Sequence, residues 1–125
     1  MQTQHITSDQ TVFRVGDIIQ MKRCYPETTE YSFLVVTSRT AKTITLNFIE
    51  QHDFQEAYEG YSSPTCYQGL TAPDLSKKFS TVYLEPIRKR LQIIDGCEFI
   101  INPNKERQHI FSRWIGKPLE VSRID

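Results

Sequence analysis

The residue types that could hold a metal are scattered along this chain. Its three histidines are His5, His52 and His109, and only His52 has carboxylates in reach, with Asp53 adjacent and Glu56 four residues on. His52 and Glu56 could supply two ligands from one helical turn, but a metal site needs a third ligand at a recognisable spacing, and none can be named. These residues therefore predict a solvated helix surface, and we expect no metal and no cofactor.

Nucleophilic chemistry has an equally weak signature. Cys24, Cys66 and Cys97 are far apart and form no CxxC pair, and the glycines are isolated from one another, so no phosphate-binding loop is present. Cys66 falls in a loop-like stretch and is the candidate reactive thiol. A small hydrolase or thiol enzyme that uses Cys66 or His109 is the third hypothesis, and we expect a protein that is not an enzyme.

Positive charge in the C-terminal third is the stronger signal. Between positions 85 and 117, seven Lys and Arg face four Asp and Glu, an excess of three, whereas fifteen basic and fifteen acidic residues cancel over the whole chain. Strand alternation turns Arg88 and Arg90 together toward water, and helical spacing groups Lys105, His109 and Arg113. If the two groups adjoin, they can bind phosphates or carboxylates. Charges dispersed on strand edges and helix surfaces are the alternative.

Tyrosines in or beside predicted loops can add contact area to such a surface. Their rings either anchor a partner or plug the open end of a small barrel. The predicted partner-binding residues are Arg88, Arg90, Lys105, His109, Arg113, Lys117, Tyr25 and Tyr67.

The elements that position these residues are mostly strands. A turn at Gly16-Asp17 leads into a first strand, and β-branched and aromatic residues from Tyr31 to Thr37 predict a second. Ile44, Leu46 and Phe48 share one face of a third strand, which we expect to pair with the second as an antiparallel hairpin.

Further strands are predicted toward the C-terminus. They cover residues 79–84 and 87–94, then residues 97–101 after the turn signal Asp95-Gly96, and finally residues 119–124.

Two short helices are expected among the strands. Phe54, Tyr58 and Tyr61 recur at spacings of four and three and predict an amphipathic helix within residues 51–61. A second helix near 103–115 has an asparagine to cap its start and a glycine just past its end.

The length of 125 residues suits one domain with a single core. Residues 1–10 carry little apolar surface and predict a flexible arm, followed by a single β-barrel domain over residues 11–125 with a long loop at 60–78. With no apolar run long enough to span a bilayer and no secretory leader pattern, we expect a cytoplasmic protein without a membrane partner.

The stretch from Phe13 to Ile49 contains Val15-Gly16-Asp17-Ile18-Ile19, a polar loop and a tight hairpin. This order resembles the opening of SH3-like barrels, over under a third of the chain. We therefore expect a mainly β fold with two short helices, an elaborated SH3-like antiparallel β-barrel. A PUA-like or ASCH-like pseudobarrel is similar too, because such domains also place a Gly-Asp turn before a strand.

These observations predict a non-enzymatic binding module that docks a macromolecular partner through its loops and its basic C-terminal surface. The neutral net charge and the loop tyrosines favour a protein partner, as for a small regulator or inhibitor of a larger complex. The alternative is nucleic-acid binding through the basic residues, with Tyr25 or Tyr67 stacking on bases.

Overall fold

A computed structural model describes residues 12–25, 28–54, 66–102 and 109–124, and within these ranges it contains nine β-strands and no helix. The strands are β1 (Ile18–Tyr25), β2 (Thr28–Arg39), β3 (Thr43–Ile49), β4 (Gln51–Phe54), β5 (Cys66–Pro73), β6 (Ile87–Ile94), β7 (Cys97–Ile100), β8 (His109–Arg113) and β9 (Leu119–Ile124).

The strands form one open, branched antiparallel sheet. Its main path runs β4-β5-β9-β2-β3-β6-β7, while β1 pairs with β2 and carries β8 on its other edge. The branch is possible because β2 has twelve residues. One edge of β2 pairs with β9 near its start and with β3 toward its end, and the opposite edge pairs with β1. The longest strand, β2, thus pairs with β1, β3 and β9.

This central strand is buried on both faces. Residues 32–36 of β2 are buried without interruption. Leu34 and Val36 belong to a core cluster with residues of β1 and β3, whereas Phe33 and Val35 belong to a second cluster with Ile49 and Leu119. Two cores therefore lie on the two faces of one strand, and the continuous apolar run of β2 follows from that position.

Several strand predictions are confirmed. β2 and β3 form the expected antiparallel hairpin, and Ile44 and Leu46 are fully buried on its inner face. β6 and β7 form a second hairpin, in which Asp95 and Gly96 take the positive φ angles of 51° and 81° that a tight two-residue turn requires.

The closed SH3-like barrel and its PUA- or ASCH-like alternative are wrong, because the described sheet is open. β7 pairs only with β6 and β8 only with β1 within the described ranges. Instead of a ladder between β7 and β8, side chains from both strands bind the backbone just before β1. The Phe13 amide donates to Glu98 of β7, and Arg113 of β8 donates to the Val12 carbonyl.

The two predicted helices are also wrong. Gln51–Phe54, the start of the first, is strand β4 paired with β5, and the remaining residues 55–61 lie outside the described ranges. His109–Arg113 of the second is strand β8, and residues 103–108 lie outside as well. Both segments have the helical spacing of apolar residues, but each forms a strand instead. β8 pairs with the edge of β1 and β4 with the edge of β5, and these ladders satisfy backbone hydrogen bonds of both partners.

Pairing of β4 is reinforced by a buried polar group on β5. Thr71 is fully buried. Its hydroxyl accepts a hydrogen bond from the side-chain amide of Gln51 at 2.9 Å and donates to the Asp53 carboxylate at 2.7 Å. Gln51 also donates to the Tyr31 carbonyl. These bonds require Gln51 and Asp53 to lie against β5, which an extended β4 provides.

The structure differs from expectation at the predicted 60–78 loop and at the predicted 79–84 strand. Residues 66–73 of the predicted 60–78 loop form strand β5, and residues 60–65 lie outside the described ranges, as does the predicted arm at 1–10. The strand predicted over 79–84 is absent, and only Phe79 makes an isolated bridge, to Ile49.

Candidate binding surfaces

Arg88 and Arg90 lie where strand alternation predicted. Both are exposed, and they sit on the same face of β6, opposite Thr45 and Thr43 of β3. Lys89 between them points to the other face and lies over the Phe111 ring, with its Nζ 5.3 Å from the ring centroid. The two arginines therefore form an outward pair of cations.

His109 and Arg113 do not join that pair. They lie on β8 with Phe111, whose ring packs against the core, while Ile110 and Ser112 between them are exposed. Alternation along β8 thus turns His109 and Arg113 to the core side of the strand. The helical grouping with Lys105 cannot form in a strand, and Lys105 itself lies outside the described residues.

Arg113 is occupied by structural contacts. Its guanidinium forms an ion pair with Asp17, donates to the Val12 carbonyl at 2.8 Å and lies 5.3 Å from the centroid of the Phe13 ring. Asp17 also accepts the backbone amide of Arg14. Arg113 therefore fastens the segment before β1 to β8.

The remaining predicted residues are dispersed. Lys117 is exposed in the turn before β9, and its carbonyl accepts the indole N–H of Trp114. Tyr25 is the last residue of β1, paired with Thr28, and Tyr67 lies on β5, where its backbone pairs with β9. The predicted residues that the structure describes are thus spread over β1, β5, β6, β8 and the turn before β9.

Sequence reasoning missed the ion pair between Arg39 and Glu98. Arg39, at the end of β2, donates to the two Glu98 oxygens at 2.7 and 2.6 Å. The Glu98 side chain is only 6% exposed. Hydrogen bonds from the Arg39 guanidinium lower the pKa of the Glu98 carboxyl, with the Phe13 amide adding to the effect against the opposing effect of burial. The same contact raises the pKa of Arg39. The sequence pattern carries no signal for this pair, because Cys97, Phe99 and Ile101 alternate as an apolar face and predict that Glu98 faces solvent.

A cavity of about 160 Å³ lies between β7 and β8. Its lining residues are Val12, Phe13, Glu98, Phe99, Ile100, Phe111, Ser112 and Arg113. Both charged groups of the lining are already engaged, Glu98 by Arg39 and Arg113 by Asp17. The cavity therefore offers apolar contact rather than acid–base chemistry.

A second surface lies in the connection between β5 and β6, which we call the apolar loop (residues 75–84). Its large apolar side chains are between 55% (Phe79) and 74% (Val82) exposed. They are Leu75, Phe79, Val82, Tyr83 and Leu84. Four of these residues lie in the predicted strand 79–84, where alternate side chains were expected to face a core.

The apolar loop is held firmly at its base. The Ser80 amide donates to the Phe48 carbonyl at 2.9 Å, and the buried Ser80 hydroxyl accepts the amides of Val82 and Tyr83 at 3.1 and 3.0 Å. The Tyr83 ring lies 5.1 Å from that of Phe48, centroid to centroid. Ser80 thus fixes the backbone while the neighbouring apolar side chains face solvent.

The loop is also fixed before Ser80. The Asp74 carboxylate accepts the Ser76 hydroxyl and amide, and these bonds lower the pKa of Asp74. The Glu50 amide donates to the Lys78 carbonyl, and Lys77 donates to the Gly16 carbonyl. The loop is thereby joined to the residue between β3 and β4 and to the turn before β1.

Among the described residues, no three His, Cys, Asp or Glu side chains cluster so that they could hold a metal ion. The same residues include no helix of the length and apolarity that crossing a membrane requires. Comparison with protein-family models, curated proteins and solved structures finds no match. The apolar loop and the outward pair Arg88 and Arg90 are the candidate binding surfaces of the described residues.

Proposed function

We propose that this protein is a non-enzymatic binding module that docks a protein partner through the apolar loop. The observation that carries this proposal is the exposure of five large apolar side chains within ten residues. Large apolar side chains are costly to leave in water, and where they form a contiguous patch on a protein surface they mark an interaction site. Partner burial of these side chains would remove that cost.

The anchoring of the loop supports the same function. Association is weakened when a flexible segment must become ordered. Because Ser80 and Asp74 already fix this loop, its binding carries a smaller cost in conformational entropy. Phe79 and Tyr83 supply aromatic rings, the side chains that most often carry interface energy. A small regulator or inhibitor of a larger complex would use such a rigid apolar projection.

Affinity capture with matched variants tests the proposal. The bait is the full chain, as wild type, as the double variant Val82→Asp with Leu84→Asp, and as the control Ile110→Asp. Val82, Leu84 and Ile110 are all more than half exposed, so none of the substitutions opens the core. We expect wild type and control to recover the same specific protein, and the double variant to lose it.

The proposal is contradicted if the double variant recovers that protein as well as wild type does. Circular dichroism and thermal melting of the three baits establish that each is folded. A chain that recovers no specific protein from any lysate fraction also contradicts the proposal.

A further inference from the structure

The outward side of the β3–β6–β7 region combines two exposed arginines with an exposed phenylalanine. We call it the β6 face and define it as Thr43, Thr45, Arg88, Arg90, Gln92 and Phe99. Register places Thr45 opposite Arg88 and Thr43 opposite Arg90. Gln92 lies opposite Phe99 on β7. Residues paired in this way share one side of the sheet, so the six side chains form one surface.

The spacing within the β6 face is short. Arg88 and Arg90 are two residues apart on one strand, which is about 6.6 Å. Phe99 is the diagonal neighbour of Arg90, and such side chains lie about 7 to 8 Å apart, within reach of aromatic and long side chains. Phe99 is 51% exposed. An open aromatic ring therefore lies beside the exposed Arg90, with the exposed Arg88 two residues further along the same face of β6.

The charge of the β6 face is of one sign. Its remaining members are neutral side chains, and none of its six residues carries a carboxylate. The carboxylate of β7, Glu98, points to the opposite side and is bound by Arg39. This local positive field exists although the chain as a whole is neutral.

We propose that the β6 face is a second binding site, distinct from the apolar loop, and that its ligand is single-stranded nucleic acid. Arg88 and Arg90 bind successive phosphates, and the Phe99 ring stacks on a base. Threonine hydroxyls and the Gln92 amide supply hydrogen bonds to sugar and base edges.

Single-stranded nucleic acid fits better than an acidic peptide or a duplex. An acidic peptide accounts for the two arginines but leaves Phe99 without a role. In a duplex the bases are stacked on one another and offer no face to Phe99, whereas a single strand presents unstacked bases. Arginines beside an open aromatic ring on a sheet are the features that sequence-tolerant single-strand binding uses.

Fluorescence polarisation of the full chain with labelled oligothymidylate and oligouridylate tests this site across a salt series. The variants are Arg88→Ala with Arg90→Ala, and separately Phe99→Ala. Lys117→Ala is the control for loss of an exposed cation, and Ile110→Ala for loss of an exposed apolar side chain. The loop variant Val82→Asp with Leu84→Asp is included, because it tests the other surface.

We expect the arginine double variant to bind more than about tenfold weaker at low salt. It should also flatten the slope of log affinity against log salt by about 1.4, because each of the two phosphates that it no longer neutralises contributes about 0.7. Phe99→Ala should weaken binding about fivefold or more and leave the salt slope unchanged, because stacking releases no counterions. The two controls and the loop variant should bind as wild type does.

Absence of binding at low salt overturns the proposal. An equal loss in Lys117→Ala overturns it too, since the contact is then unspecific charge attraction. If polyglutamate displaces the oligonucleotide as effectively as unlabelled oligonucleotide and Phe99→Ala has no effect, the ligand is an acidic protein segment instead. None of these outcomes depends on whether the apolar loop binds a protein.

Discussion

Arg39 at the end of β2 holds Glu98 of β7 through two parallel hydrogen bonds of 2.7 and 2.6 Å. The same two residues bind the backbone of Phe13, whose amide donates to Glu98 and whose carbonyl accepts from Arg39. One ion pair thus ties together the central strand, an edge of the sheet and the segment before β1. It takes the place that a strand ladder would occupy in a closed barrel.

Removal of this pair should destabilise the fold. Glu98→Ala removes the carboxylate partner of Arg39, which keeps its backbone acceptors at Phe13 and Thr40, and it removes the acceptor of the Phe13 amide. Breaking a fully buried pair costs about 3 to 5 kcal/mol, and because Arg39 keeps some access to water we expect about 2 to 3 kcal/mol in the free energy of unfolding. Urea denaturation measures this value.

Glu85→Ala is the matched control, because Glu85 is an exposed carboxylate. We expect the control to lie within about 0.5 kcal/mol of wild type. A Glu98→Ala variant as stable as this control would show that the ion pair contributes nothing.

The pH dependence of stability should follow the same carboxylate. Because the pKa of Glu98 is lowered in the folded protein, its contribution is complete above the unfolded value of about 4.3 and is lost as pH falls through the lower folded pKa. The lowered pKa of Asp74, caused by the Ser76 hydrogen bonds, acts in the same direction.

We therefore expect the free energy of unfolding to fall as pH is lowered from about 5 to about 3, and to fall less steeply in Glu98→Gln. Denaturation curves at a series of pH values measure both slopes. Parallel curves for wild type and variant would mean that Glu98 does not contribute to the acid sensitivity.

The buried hydroxyl of Thr71 should be required for the pairing of β4 with β5. Thr71→Val keeps the shape of the side chain but leaves the Gln51 amide and the Asp53 carboxylate without this partner. Asp53 is exposed to water and Gln51 keeps its bond to the Tyr31 carbonyl, so we expect the loss of ordinary hydrogen bonds, about 1 kcal/mol. Thermal and urea unfolding of Thr71→Val, compared with the exposed control Thr81→Val, measure the difference; equal stability of the two variants would contradict the prediction.

The β6–β7 hairpin should depend on the conformation of Gly96. Its φ is +81° and no heavy atom lies within 4 Å of the position a Cβ would take, so Gly96→Ala introduces backbone strain without a clash. A left-handed conformation costs a residue with a Cβ about 1 to 2 kcal/mol. Gly96→Ala should lose about that much stability in urea, while Gly96→Asn should lose less, because asparagine tolerates this region; equal losses would argue against the turn geometry.

Strands were predictable where one face meets the core or where a turn has a strict chemical signature. Ile44 and Leu46 alternate because only one face of β3 is buried there, and Asp95-Gly96 satisfies the positive φ angles of the hairpin turn. These are local requirements, so local sequence reveals them.

Helices were predicted wrongly where local spacing competed with a distant partner. Ile110, Phe111 and Trp114 have helical spacing, but the edge of β1 pairs with His109–Arg113, and in the resulting strand Ile110 is left 53% exposed. The sequence of residues 103–115 contains no sign that part of it pairs with β1, which lies far earlier in the chain.

The candidate surfaces divide in the same way. Arg88 and Arg90 were identified by alternation on a strand that does form. The apolar loop was not predicted, because residues 79–84 were interpreted as a strand whose apolar side chains pack against a core. The sequence also has no pattern that distinguishes Ser80, whose hydroxyl fixes the loop. The ion pair of Arg113 with Asp17 could not be seen in the sequence, because the two residues lie 96 positions apart.

Site-specific photocrosslinking in cells that express the chain tests the central claim most directly. A photoreactive phenylalanine analogue is placed at position 84 in the apolar loop and, in a matched variant, at position 110, where the apolar side chain is also more than half exposed. We predict a discrete crosslinked protein product from position 84 and none from position 110. The same yield and the same products from both positions would contradict the claim that the apolar loop is the docking surface.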